Sequence, residues 1–252
     1  MQRAAGLGKL GALVLWGLLA AGGARADAAS SAGMPAGIEE ALARREYEAT
    51  RNARGLQAPN RAHNLRTYFE PAGIRVHDRT AAGSPELLRL TLAGVGRGGA
   101  LAAVPAGEVV HEDARVEIRR PGLVEWFVNS DAGLEQGFTL DVRPEGVDGL
   151  ALELALAGAS ASAQGEDLVF ATKGRRLRYG ALHVVDATGR VLPARFAPAS
   201  ARRVRIEVDD AGALYPVVVD PLLTETADTT LVSNVSNGNF GYGVAAAGDV
   251  NA

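Results

Sequence analysis

Side chains able to act as acids, bases or metal ligands are spread thinly along this chain. His63, His77, His111 and His183 stand singly, and none forms the H-x-x-x-H pair that sets two imidazoles on one helix face. His111-Glu112-Asp113 is a run of three ligand types. Consecutive residues of an extended strand point to alternate sides, so the three cannot converge on one ion. Glu117 and Glu125 offer the paired carboxylates that a glycosidase needs. Trp126, Phe127 and Tyr179 offer an aromatic platform for a sugar ring, although a lone Trp on a strand is more often core. Gly158-Ala-Ser160-Ala-Ser162 lacks the second glycine of a nucleophile elbow. The glycines at 94, 96, 98 and 99 are not followed by Lys-Ser/Thr and open no helix, which excludes a phosphate-cradling loop. Arg175, Arg176 and Arg178 read as one solvated strand face. One run near the end is more specific. In Gly248-Asp249-Val250-Asn251, Asp249 and Asn251 occupy the first and third positions of a D-x-[DN] loop, where alternate oxygen donors point inward toward calcium.

Those residues sit on elements whose period is two. Leu65, Thr67 and Phe69 alternate with Arg66 and Tyr68; a Pro71-Ala72-Gly73 turn follows, and Ile74-Arg75-Val76 returns. Leu88-Arg89-Leu90-Thr91-Leu92, Val116-Glu117-Ile118 and Leu123 to Val128 continue the pattern. The run from Leu150 to Leu156 alternates leucine with Ala and Glu, and its brevity between Gly149 and Gly158 favours a strand over a helix. Val204, Ile206 and Val208 share one face, with Arg203, Arg205 and Glu207 on the other. Asp209 to Gly212 then reads as a hairpin turn, with Leu214 to Val219 returning and Pro216 at an edge or bulge. Residues 60–224 thus read as one all-β unit, an antiparallel β-sandwich or barrel-like domain, with Asp220-Pro221 near its end.

Composition sets the context. The 252 residues contain no cysteine, which excludes disulfide scaffolds, thiolate metal sites and thiol nucleophiles. Hydrophobic residues make up 47% but aromatics only 5%, so the core must be built largely from Leu and Val. A net charge of −3 offers nothing to draw the whole chain to nucleic acid. Arg3 and Lys9 precede an apolar run over 10–20, and Ala24-Arg25-Ala26 follows, the order of a secretory signal peptide cleaved after Ala26. The run is about eleven residues, against the ~20 that span hydrocarbon. A bacterial exported protein, secreted or at the cell surface, with no stable membrane span after cleavage, is the expectation. Residues 27–59 read as a flexible or weakly helical leader, with a short helix allowed over 38–54.

The run Phe240-Gly-Tyr-Gly-Val-Ala-Ala-Ala-Gly-Asp-Val-Asn251 resembles the start of an FG-GAP repeat, the blade unit of integrin-α-like β-propellers. The string Glu125-Trp126-Phe-Val-Asn-Ser-Asp-Ala-Gly133, with Arg176 to Gly180, Asp186 to Arg190 and Tyr215 to Leu222, is similar to the module that precedes such repeats in large secreted bacterial proteins. The resemblance implies that residues 225–252 begin a propeller blade and that Asp249 and Asn251 belong to a calcium loop whose remaining ligands would lie beyond Ala252. Calcium would then bind in the full-length protein and not tightly to this segment, since two donors cannot replace the usual ~6–8 oxygens. The function so implied is non-enzymatic: an exported adhesion-type protein with an extracellular protein or glycan as partner. A secreted carbohydrate-binding module, or a hydrolase whose catalytic part lies downstream, is the alternative.

Overall fold

The computed structural model describes residues 45–225. The expected signal peptide, most of the leader, and the proposed calcium ligands Asp249 and Asn251 lie outside the described residues.

Seventeen strands account for most of the described chain, and it contains no helix long and apolar enough to cross a membrane. β1 (Thr50–Asn52), β2 (Gly55–Asn60), β3 (Leu65–Glu70), β4 (Gly73–Asp78), β5 (Glu86–Arg97) and β6 (Ala100–Ala103) come first. β7 (Glu108–Glu112), β8 (Arg115–Arg120), β9 (Leu123–Ser130) and β10 (Gly133–Leu140) follow. β11 (Leu150–Ala157), β12 (Ala159–Gln164), β13 (Asp167–Thr172), β14 (Arg176–Val185), β15 (Ala194–Ser200), β16 (Arg203–Val208) and β17 (Val217–Glu225) complete the set. They form two antiparallel sheets that do not close into a barrel, so the fold is the sandwich of the two expected architectures. One sheet has the order β1-β2-β3-β4-β5-β11-β16-β15, with β6 pairing the second half of β5. The other has the order β12-β13-β14-β17-β10-β9-β8-β7.

The core follows from alternation. Leu88, Leu90 and Leu92 of β5, the four leucines at 150, 152, 154 and 156 of β11, and Val204, Ile206 and Val208 of β16 turn inward from one sheet. They meet Val116, Ile118, Phe127, Phe138, Phe170, Tyr179, Val219 and Leu223 from the other. Each fully buried Leu or Phe contributes roughly 1.5–3 kcal/mol relative to exposure, which lets a chain poor in aromatics still hold a two-layer core.

Three features depart from the sequence reading. The first sheet begins at Thr50, inside the stretch read as leader; of the 38–54 segment, Arg45 is helical, a turn follows, and residues 38–44 lie outside the described residues. Leu56 and Ala58 turn inward and β2 pairs β3 over Gln57–Asn60, so tertiary pairing orders the end of the stretch read as leader. The expected hairpin after Val208 does not form. β16 lies between β11 and β15, while β17 crosses to the opposite sheet between β10 and β14. Asp209–Pro216 is therefore a bridge between layers. Pro216 precedes the strand and removes nothing from its ladder, whereas Pro221 sits in the middle of β17. There β14 bulges: Gly180 pairs Leu222 and His183 pairs Asp220, so two residues of β14 face Pro221, which has no N–H to give.

Candidate functional site

The residues singled out in the sequence are dispersed. Glu117 pairs with Trp126 across β8 and β9, while Glu125 pairs with Ile118, so the two carboxylates project from opposite faces of one sheet. They cannot flank one glycosidic bond, and the paired-carboxylate reading is removed. Glu117 is on the outer face between Arg115 (2.9 Å) and Arg119 (2.8 Å), which pull its carboxyl down against the effect of partial burial. The aromatic platform is also removed. Phe127 and Tyr179 are wholly buried in the core, and Trp126, on the outer face, is only 8% exposed. Its indole lies across Gly137, where an added Cβ would meet ring carbons at 2.0 Å, with Arg115 4.7 Å above the ring and Nε1 donating to Thr139 Oγ1 at 3.1 Å. A ring so covered has no free face to stack a sugar. His111 and Glu112 lie on exposed β7, and Asp113 sits in the following turn with φ of 49°. Among the described residues, no three His, Asp or Glu side chains gather so that they could hold a metal ion. The glycines around 94–99 serve packing: Gly96 lets β6 close on β5, since a Cβ there would lie 2.1 Å from the Ala100 carbonyl oxygen.

Much of the polar chemistry is spent inside the sandwich. Arg120 donates to Glu125 (2.9 Å), the Gln136 amide donates to the other Glu125 oxygen (2.8 Å), and the Tyr179 hydroxyl donates to the Gln136 carbonyl (2.8 Å). This relay crosses from β8 to β14 through the core. Burial pushes the Glu125 carboxyl up, opposed by the Arg120 charge and both hydrogen bonds, and burial raises the Tyr179 phenol well above its ordinary value. A second network closes the end of the sandwich. Arg97 grips Asp210 bidentately at 2.8 and 2.9 Å, and the Tyr215 hydroxyl donates to Asp210 at 2.8 Å. Burial and that hydrogen bond push the Tyr215 phenol well above its ordinary value, while burial of Asp210 is outweighed by its Arg97 and Tyr215 contacts, leaving its carboxyl low.

The arrangement that ties the most distant segments together is at Glu225, the last described residue of β17 in the centre of the second sheet. Arg175, read from sequence as part of a solvated basic face, is only 12% exposed. It pairs with Asp78 at the end of β4 (3.2 Å) and with Glu225, and donates to the carbonyls of His63 (2.9 Å) and Asn64 (3.0 Å). The Glu225 N–H donates to His63 Nδ1 at 3.1 Å, so that imidazole nitrogen is the acceptor. Asp78 in turn accepts from the N–H groups of Thr80 and Ala81 (2.8 and 2.9 Å); these bonds and the Arg175 charge outweigh burial and hold its carboxyl below the usual range. Three separated segments are thereby locked to the end of β17. Arg176 and Arg178 do lie on the outer face, as their alternation with inward Leu177 requires. Sequence reasoning missed the clamp because its members are brought together only by the crossing of the two layers.

Fold and side-chain arrangement together define an antiparallel β-sandwich module whose buried charges are committed to architecture and whose exit strand is anchored. No protein-family model matches this chain, and no curated protein matches its sequence.

Proposed function

We propose that this protein is an exported, non-enzymatic scaffold of the adhesion type, whose sandwich carries a calcium-stabilised FG-GAP β-propeller at a fixed exit and acts through an extracellular protein or glycan partner. The anchored exit at Glu225 is the observation that carries the reading. A clamp of one arginine, two carboxylates and a histidine fixes the end of β17 to the sandwich, a firm attachment that an independent catalytic domain on a loose tether would not require. The placement of Glu117 and Glu125 on opposite faces and the covered Trp126 also favour a scaffold over a sugar-processing surface. Sequencing the gene beyond the codon for Ala252 tests the propeller. An Asp or Asn at the next alternate position, a closing glycine and further Phe-Gly and Gly-Ala-Pro elements are expected; a sequence without them overturns it. Calcium calorimetry on the protein carrying those elements is expected to show binding that is lost when Asp249 and Asn251 are both changed to Ala.

A further inference from the structure

A second surface feature stands apart from the exit clamp and does not depend on the scaffold reading. On the outer face of the first sheet, Arg54, Arg66 and Arg79 line a cavity of about 390 Å³ together with Tyr68, Ala81, Gly83 and Ser84. That volume falls in the roughly 300–1,000 Å³ range of small-ligand pockets. No carboxylate lines it. None of the three arginines has a carboxylate within 4.0 Å among the described residues, in a chain whose net charge is negative. Neighbouring acids are already engaged: Glu70 with Arg75 (2.7 Å), Glu86 with Arg89 (2.7 Å), and Asp78 with Arg175 (3.2 Å).

The wall between the arginines is rigid. Tyr68 is 3% exposed; His77 packs edge-on against its ring at 5.0 Å, and Arg75 lies 5.4 Å from its centre. The Asn52 amide donates to its hydroxyl at 3.4 Å, which leaves the phenolic proton without an acceptor among the described residues. Burial pushes that phenol up, but Asn52, Arg66 and Arg54 outweigh it and leave the group below its ordinary value. The Arg79 Nε is buried with no hydrogen-bond partner. Three guanidinium groups that lack counter-charges, an unused hydroxyl proton and an unpaired buried N–H form a set of donors with no carboxylate to accept from them. Guanidinium forks match the oxygen spacing of oxyanions and bind them through short, charge-assisted hydrogen bonds.

We propose that this cavity is a binding site for a tetrahedral oxyanion, a sulfate or phosphate group, held by Arg54, Arg66 and Arg79 with the Tyr68 hydroxyl as an additional donor. The group can arrive free or as a substituent of a polysaccharide, and the experiment separates the two. Calorimetry on the full chain is run with sodium sulfate, sodium phosphate, dextran sulfate and unsubstituted dextran, for the wild type and for R66Q, R79Q, Y68F and R176Q. Arg176 is an exposed arginine outside the cavity, so R176Q measures non-specific attraction. Binding of the free anions or of dextran sulfate, but not of dextran, is expected to weaken about tenfold or more in R66Q and in R79Q. Y68F is expected to weaken it less, and R176Q to leave it within about twofold, as an exposed charge contributes little. Dextran sulfate binding without free-anion binding identifies a substituted glycan as the source; binding of both identifies the anion itself. No binding by any sulfated or phosphate probe, or equal losses in R66Q and R176Q, overturns the proposal. Circular dichroism of each variant establishes that the fold is retained.

Discussion

Truncating Glu125 to alanine is the sharpest test of the buried relay. Arg120 and Glu125 have side chains only 2% and 0% exposed, and their contact is 2.9 Å. Without the carboxylate, the guanidinium keeps only the carbonyl oxygens of Pro105 (2.7 Å) and Pro71 (3.3 Å), and the Gln136 amide loses its acceptor. Leaving one charge of a buried pair uncompensated costs about 3–5 kcal/mol, and the orphaned amide adds about 1 kcal/mol or more. Small domains are stable by only ~5–15 kcal/mol, so Glu125→Ala removes a large share of the total. At about 2–4 °C per kcal/mol for a domain of this size, the ~4–6 kcal/mol total lowers the midpoint by ~8–24 °C. Thermal unfolding followed by far-ultraviolet circular dichroism measures it. Tyr179→Phe, which removes one neutral hydrogen bond, is expected to cost only about 1 kcal/mol. The double replacement Arg120→Met with Glu125→Leu is expected to be less damaging than Glu125→Ala alone, because no charge is left behind. A loss below about 1 kcal/mol for Glu125→Ala, or a double variant worse than the single one, would refute the account of burial and pairing.

Three further outcomes follow from particular contacts. Burial, with the Glu135 charge beside it, pushes the Asp220 carboxyl up to about 7 from 3.8, with His183 opposite on β14. The folded state therefore holds more protons than the unfolded chain between those values, and stability falls as pH rises through this window; Asp220→Asn is expected to raise the melting temperature at pH 8 and not at pH 3, read by differential scanning calorimetry. Gly137→Ala places a methyl in the Trp126 ring, and overpacking of this kind costs about 1–3 kcal/mol; a red-shifted tryptophan emission with lower stability is expected, and unchanged emission would contradict the packing. Arg175→Met opens the clamp, so amide hydrogen exchange at Thr224 and Glu225 is expected to accelerate while the amides of β11 stay protected; equal protection before and after would show that the exit does not depend on Arg175.

The sequence by itself determined which residues share a face. Strict alternation in Leu150–Leu156 and Val204–Val208 names the inward set whatever the partner, because side chains on a strand have a period of two. It also determined that sulfur chemistry is absent, and that the ligand types in His111-Glu112-Asp113 are too close in sequence to converge. The tertiary structure alone decided which strand lies beside which. Alternation is local, whereas pairing is settled by how two apolar faces cover each other, so β16 and β17 look like a hairpin in sequence and occupy different layers in space. The same holds for the polar clusters. Arg97 and Asp210 are 113 residues apart, Glu125 meets Tyr179 only through Gln136, and Arg175 finds Glu225 only where β14 and β17 run side by side. Every such cluster depends on the faces that strands present after the layers close, and desolvation then makes each unpaired charge costly enough to select a partner.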